Sequence, residues 1–283
     1  MSVKILSDST CDLSPELIER YGIRILPLHV MLGSDEYLDG VSITPDKIYQ
    51  WSDATKQTPK TSAVSIPEVT EAFQECLKEF DELVVFTISS SMSACFNNCR
   101  LAAQDLEAES RIHIIDSENL STGIGLLVIE AAIMASKGFA AAQIEDVICK
   151  LRPKVRASFV VDTLVYLYRG GRCSGLAAMV GGALRLHPRI AVTNGAMGPG
   201  RKYRGSSAKY VMQYVQDMEQ EILHARKARV FITHSGCDDD VVEMVRSYLE
   251  GLHHFDEILI THAGSVVSSH CGPGTLGVLY ILE

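Results

Sequence analysis

The sequence predicts an α/β protein of two different α/β domains: a parallel, three-layer domain over residues 1–155 and a mixed-sheet domain over residues 156–283. Three observations carry that expectation. Short apolar runs alternate with helical patterns through the first half. The rhythm changes near Arg152-Pro153. The second half then combines further strand and helix patterns with Asn194-Gly195, the strongest short hairpin signal in the chain. Strand–helix alternation implies parallel strands joined by crossover helices, whereas a two-residue Asn-Gly connection implies antiparallel neighbours.

Taken in order, residues 3–6, 23–30, 83–88 and 112–115 are expected as strands. Residues 15–21, 67–80, 94–106 and 123–137 are expected as the helices between them. In such sheets ligands lie beyond the carboxyl ends of the strands. The loops there carry small polar groups: Ser7-Asp8-Ser9-Thr10, Ser89-Ser90-Ser91 and Asp116-Ser117. In the second half a strand is expected at 158–161, followed by a helical segment and a break at Gly170-Gly171. Strands at 189–193 and 197–204 flank the Asn-Gly turn. One long helix runs from Ser207 to about residue 226. Strands follow at 229–233, 257–261, 266–270 and 276–282, with a helix at 238–252. No internal repeat or low-complexity linker interrupts the pattern.

Composition narrows the class. The chain has 283 residues, 47% of them hydrophobic and 22% charged, which is ample material for a core. Its formal net charge of -9 argues against a nucleic-acid partner, because such proteins present a basic face. No stretch of eighteen apolar residues exists, so no membrane span is expected. The start shows no signal-peptide pattern. The expected location is cytoplasmic, with the eight cysteines reduced.

Most familiar motifs are absent or misplaced. Gly272-Pro273-Gly274-Thr275-Leu276-Gly277 fits G-x-G-x-x-G, but it is followed by a strand-like run where dinucleotide binding needs a helix. It is read as a glycine-rich turn that lets backbone approach a ligand. There is no P-loop, no H-E-x-x-H, no C-x-x-C and no G-x-S-x-G elbow. Cys95 and Cys99 are read as two small buried thiols, so no metal is expected. His253-His254 is expected to face solvent. Two hydroxyl clusters, Thr58 to Ser62 and Ser89 to Ser93, each precede a helix. A serine there serves either as an N-cap or, with exposed amides, as part of an anion site.

In chain order, these segments resemble the DegV family of fatty-acid-binding proteins. The resemblance runs from Ser7-Asp8-Ser9-Thr10-Cys11-Asp12 through Tyr37-Leu38-Asp39-Gly40, Lys60-Thr61-Ser62 and Ser90-Ser91-Met92-Ser93. It continues through Ile115-Asp116-Ser117, Gly170-Gly171-Arg172, Lys202-Tyr203-Arg204-Gly205 and His270-Cys271-Gly272-Pro273-Gly274. It implies a lipid cleft between the two domains and no catalytic residue. The fatty-acid carboxylate is expected at Thr61 and Ser93, with Ser62, backbone at the Ser93–Ala94 turn, and His270 close by. The implied ligand is a long-chain fatty acid such as palmitate or oleate, with no cofactor. The implied partner is an ATP-binding fatty acid kinase, to which this subunit presents the carboxylate for acyl-phosphate formation in phospholipid metabolism. Arg172 and Arg204 are the candidates for phosphate or partner contact, while Arg201 and Lys202 are read as ordinary surface.

The physics suits that arrangement. Each buried methylene contributes about 0.8 kcal/mol, so roughly fifteen of them supply more than about 10 kcal/mol of gross driving force. Hydroxyls then need only hold and orient the carboxylate, which is costly to bury unpaired. The chain departs from the family pattern at Ala94-Cys95-Phe96, where Gly-Thr-Tyr is usual. It departs again at Cys173, and at Ser206-Ser207, where the family is more basic. Two other readings use the same residues. An esterase would take Ser93 as nucleophile and His270 as base, but it lacks an elbow and an evident acid to orient the histidine. A dihydroxyacetone-type kinase subunit would capture a ketone on His270, against which the apolar cleft segments argue.

Overall fold

The computed structural model describes residues 2–171 and 186–283. The chain opens with β1 (Val3–Asp8), α1 (Pro15–Arg20) and β2 (Arg24–Leu26). A small excursion follows: β3 (His29–Leu32), β4 (Asp35–Leu38), α2 (Pro45–Thr55) and β5 (Lys60–Ser62). Then come α3 (Ile66–Leu77), β6 (Glu82–Thr87), α4 (Cys95–Asp105), β7 (Ile112–Asp116), α5 (Thr122–Ser136) and α6 (Ala141–Leu151). Strands β2, β1, β6 and β7 form, in that order, a wholly parallel four-stranded sheet. Leu83, Val84, Val85 and Phe86 of β6 are fully buried, as an inner parallel strand covered on both faces requires. The α3–α4 pair and the α5–α6 pair both pack on β6 and supply the covering layers.

The excursion corrects one expectation. Residues 23–30 are not one strand, because Pro27 has no amide to continue a ladder. The chain breaks there; β2 pairs with β1, and β3 crosses to a separate antiparallel sheet of order β4-β3-β5. The helices α2 and α6 and the strands β4 and β5 also lie outside the sequence expectations. The start of α3 follows local rules closely: Ser65 and Glu68 form a capping box, with Pro67 in the first turn.

The second half contains β8 (Val155–Val160), α7 (Val165–Arg169), β9 (His187–Thr193) and β10 (Ala196–Tyr203). It continues with α8 (Ser207–Asp217), α9 (Glu219–Ile222), β11 (Arg229–Ser235), α10 (Asp239–Gly251), β12 (Glu257–His262), α11 (Ser265–Cys271) and β13 (Thr275–Ile281). Its six strands run in the order β10-β9-β8-β13-β11-β12. Only β11 and β12 pair in parallel, so the sheet is mixed. The Asn-Gly hairpin forms as expected: Asn194 (φ 49°) and Gly195 (φ 78°) both take the left-handed conformation such a turn needs.

Two further expectations are corrected here. Residues 207–226 make two helices, because the chain turns at Met218 (φ −96°, ψ −4°), whose side chain is 2% exposed. Residues 266–270 form the helix α11 and not a strand. The valines suggested a strand; in the helix the buried serine hydroxyls find acceptors, Ser269 Oγ donating to Ser265 O at 2.7 Å and Ser268 Oγ to Ala263 O at 3.1 Å. Almost the whole helix is buried, so tertiary contacts override local preference.

One apolar core runs from the parallel sheet across α5 to the near face of the mixed sheet, and a second lies under α8 and α10. Ile124, Leu126, Leu127, Val128 and Ile129 of α5 are fully buried, and α5 touches β1, β8 and β13. A helix apolar all round is one wrapped by protein.

Candidate functional site

A pocket forms where β5, the loop after β6, α7 and α11 meet. It encloses about 550 Å³ of space, part of it open to solvent. Its walls are mostly apolar: Leu28, Ile88, Met92, Leu120, Leu167 and Met197, with Val266, Val267 and Cys271 from α11. Leu120, Val267 and Cys271 are shared with an adjoining chamber of about 330 Å³ that reaches Phe159, Ala263 and Leu279. That chamber also has hydroxyl residues in its wall, but they bond to one another or to neighbours: Thr233 to Thr122 and Thr261, Ser158 to Tyr214, Ser121 to Asp12. Satisfied in this way, they cost little to bury.

Four of the sequence-derived residues meet in the pocket wall: Thr61, Ser62, Ser93 and His270. Pairing of Thr61 with Val30 in the small antiparallel sheet sets Thr61 in place. Thr61 Oγ1 lies 2.8 Å from His270 Nε2, across 209 residues of chain. The His270 ring packs on Gly170, where an added Cβ would fall 2.2 Å from Nδ1. Ser93 Oγ donates to Cys95 Sγ at 3.2 Å and accepts from Cys95 N at 3.3 Å. Ala94 is exposed at the amino end of α4 and is not part of the pocket wall. No serine from 89 to 93 is the N-cap of α4, which is Ala94 itself. Ser89 and Ser91 instead donate to the carbonyl of Gly195, docking the β9–β10 hairpin.

Of the basic candidates, only Arg204 can be placed relative to the pocket. Arg172 lies outside the described residues. Arg204 lines a surface groove with Arg201, Lys202 and Lys209, and that groove shares no residue with the pocket. Arg201 pairs there with Asp217 at 2.7 Å. The described pocket wall therefore contains no charged Arg, Lys, Asp or Glu side chain.

Burial controls the titratable groups nearby. Cys95 and Cys271 are pushed up to about 12, and Cys99 well above its usual value, by loss of solvent. Raised in this way they favour the thiol form, and Cys95 and Cys99 are buried, as the sequence suggests. Asp8, at the end of β1, is pushed up to about 6 by burial, against the hydrogen bonds from Thr10 and Ile88. Asp12 and Asp39 are also raised by burial, Asp12 well above the ordinary carboxylate range.

Sequence reasoning missed most of the apolar wall and both carboxylates behind α11. Met197, two residues past the Asn-Gly turn, carried a usable signal, since a hairpin tip is well placed to cover a cleft. The others come together only in three dimensions. Chemically, the arrangement suits an amphipathic ligand with a long apolar body and one small polar head. The hydrogen bond a Ser–His nucleophile would use is not made, as His270 Nε2 engages Thr61 and Ser93 engages Cys95.

The family model of the DegV proteins, described as uncharacterised, matches residues 2–283. A DegV domain-containing protein from Deinococcus radiodurans is 32% identical, the alignment covering 98% of each chain. A fatty acid-binding protein from Thermotoga maritima is 30% identical over 98% of this chain and 96% of its own. The solved structure of a fatty-acid-binding DegV family protein from Thermus thermophilus superposes with a TM-score of 0.92 at 29% identity, covering all of both chains. With the parallel sheet, the mixed sheet and the pocket all in place, this chain belongs to the DegV family.

Proposed function

We propose that this chain binds a long-chain fatty acid, its acyl chain in the apolar pocket and its carboxylate at Thr61, Ser62, Ser93 and His270. Backbone at the Ser93–Ala94 turn completes the carboxylate site. The observation that carries this reading is the composition of the wall: apolar throughout, except for neutral hydroxyls and one imidazole joined by the 2.8 Å Thr61–His270 contact. Neutral donors orient a carboxylate without drawing off the electron density its oxygen needs for attack on a phosphoryl group. The fatty acid binding described for the Thermus relative and the name of the Thermotoga relative support the same ligand class. In this reading the change of sheet near residue 155 is a domain boundary, and the ligand lies between the two domains.

The chain itself acts as a carrier and not a catalyst. It presents the carboxylate to an ATP-binding kinase, and Arg204, with Arg172, contacts the phosphate or that partner. Extraction of the purified, denatured protein followed by mass spectrometry should release a fatty acid, and a separate native sample should take up added palmitate or oleate. No released lipid together with no uptake would sink the proposal. Incubation with ATP alone should leave palmitate unchanged; acyl phosphate formed by the isolated chain would refute the carrier role.

A further inference from the structure

We infer that Asp12 and Asp39 are positioning residues for the pocket: they hold the amino end of α11, and through it His270, without lining the pocket themselves. The inference rests on the reading of that pocket as the fatty-acid site. Both carboxylates are buried, at 5% and 2% exposure. Asp12 follows the turn after β1, and Asp39 directly follows β4. Asp12 Oδ1 accepts from Gly264 N at 2.8 Å and Asp39 Oδ1 from Ser265 N at 2.6 Å. The amides at a helix start have no acceptor within the helix, so these two carboxylates supply what α11 lacks.

Each carboxylate is steadied in turn by its second oxygen. Ser121 Oγ donates to Asp12 Oδ2 at 2.5 Å, and Ser9 Oγ donates to Asp39 Oδ2 at 2.8 Å. The two acids converge on one point: a Cβ at Gly264 would lie 3.1 Å from Asp12 Oδ1 and 3.2 Å from Asp39 Oδ1. Burial and this proximity disfavour charge on both acids at once, while the serine and amide donors favour the ionised form. The bonded pairs are 252 and 226 residues apart in the chain. No local preference builds them. They exist to seat this helix against the first half of the molecule.

The consequence for the site is direct. With only seven residues, α11 is too short to be stable alone, so its anchors decide where it lies. Four of those residues, Val266, Val267, His270 and Cys271, are pocket wall. His270 lies 2.8 Å from Thr61, so its place in the polar end depends on where this helix sits. Loss of an anchor at one end of the helix moves the imidazole at the other.

The test reads His270 directly. Its ring Cε1–H signal in a proton NMR spectrum, assigned by its loss in His270→Gln, reports the seat of α11 with or without lipid. In Asp39→Ala this signal should shift and palmitate affinity should fall about tenfold or more, while Asp39→Asn, which keeps an acceptor oxygen, stays near native in both. An unmoved signal in Asp39→Ala, or equal losses in the two variants, would overturn the inference. Should Asp39→Ala fail to fold, Ser121→Ala removes the hydroxyl that steadies the companion acid Asp12. It should shift the signal the same way, and no shift would be equally fatal. If the native protein takes up no palmitate, the fatty-acid reading falls, while the His270 signal still decides the role of the acids.

Discussion

At the scale of single residues, the polar end of the pocket depends on one contact between distant side chains, Thr61 Oγ1 to His270 Nε2. Thr61→Val keeps the shape and removes the hydroxyl. Palmitate binding, followed by calorimetry, should weaken about tenfold, the range expected when one hydrogen bond worth about 1–1.5 kcal/mol is lost. Unchanged affinity would remove Thr61 from the carboxylate site. Thr61, Ser62, Ser93 and His270 could be singled out in the sequence because each stands in a short recognisable segment. Asp12 and Asp39 stand in such segments too, but their job could not be read there. A helix cap is normally sought a few residues away, and these acids cap a helix from the far end of the chain.

Secondary-structure elements were legible in proportion to how local their causes are. The capping box of α3, the apolar run of β6 and the Asn-Gly turn all announce themselves within a few residues. The helix α11 does not, because its two valines favour a strand and only the surrounding contacts decide otherwise. Nor does the division of residues 23–30, where Pro27 ends one sheet's strand just before another sheet's begins. The hairpin offers a test at this scale. Gly195 has φ 78°, and an added Cβ would sit 2.7 Å from Ser89 Oγ, one of the two hydroxyls that dock the turn. Gly195→Ala should therefore cost more than about 1 kcal/mol in urea denaturation, since strain and a broken dock add together. A loss near zero would mean that the hairpin tip is not held at Ser89.

For the molecule as a whole, buried ionisable groups pull its pH dependence in opposite directions. Burial raises Asp8 from 3.8 to about 6, so the folded state holds that proton more tightly than the unfolded chain. Its contribution is fully present below about pH 4 and is lost as pH rises toward 6, a change of about 3 kcal/mol. Asp12 and Asp39 act in the same sense. His234 opposes them: burial, aided by neighbouring His262, lowers it from 6.5 to about 4. Its neutral form favours the fold, and that contribution is lost as pH falls from about 6.5 toward 4. Measured by urea denaturation at about pH 4.5 and about pH 7, Asp8→Asn should gain stability relative to the native protein as pH rises. His234→Gln should lose it. Parallel profiles for all three proteins would show that neither group titrates with folding.

The sequence by itself determined the α/β class, the order of most strands and helices, the glycine-rich and hydroxyl-rich loops, and the membership that the ordered short segments implied. These follow from periodicity and turn chemistry, which act over a few residues at a time. The tertiary structure decided what periodicity cannot reach. It placed the small sheet that carries Thr61 beside α11 from the other end of the chain, and it turned an apparent strand into the helix that bears His270. It left Arg204 in a groove of its own. A pocket between distant segments depends on long-range burial and long-range hydrogen bonds, and neither leaves a mark in local spacing.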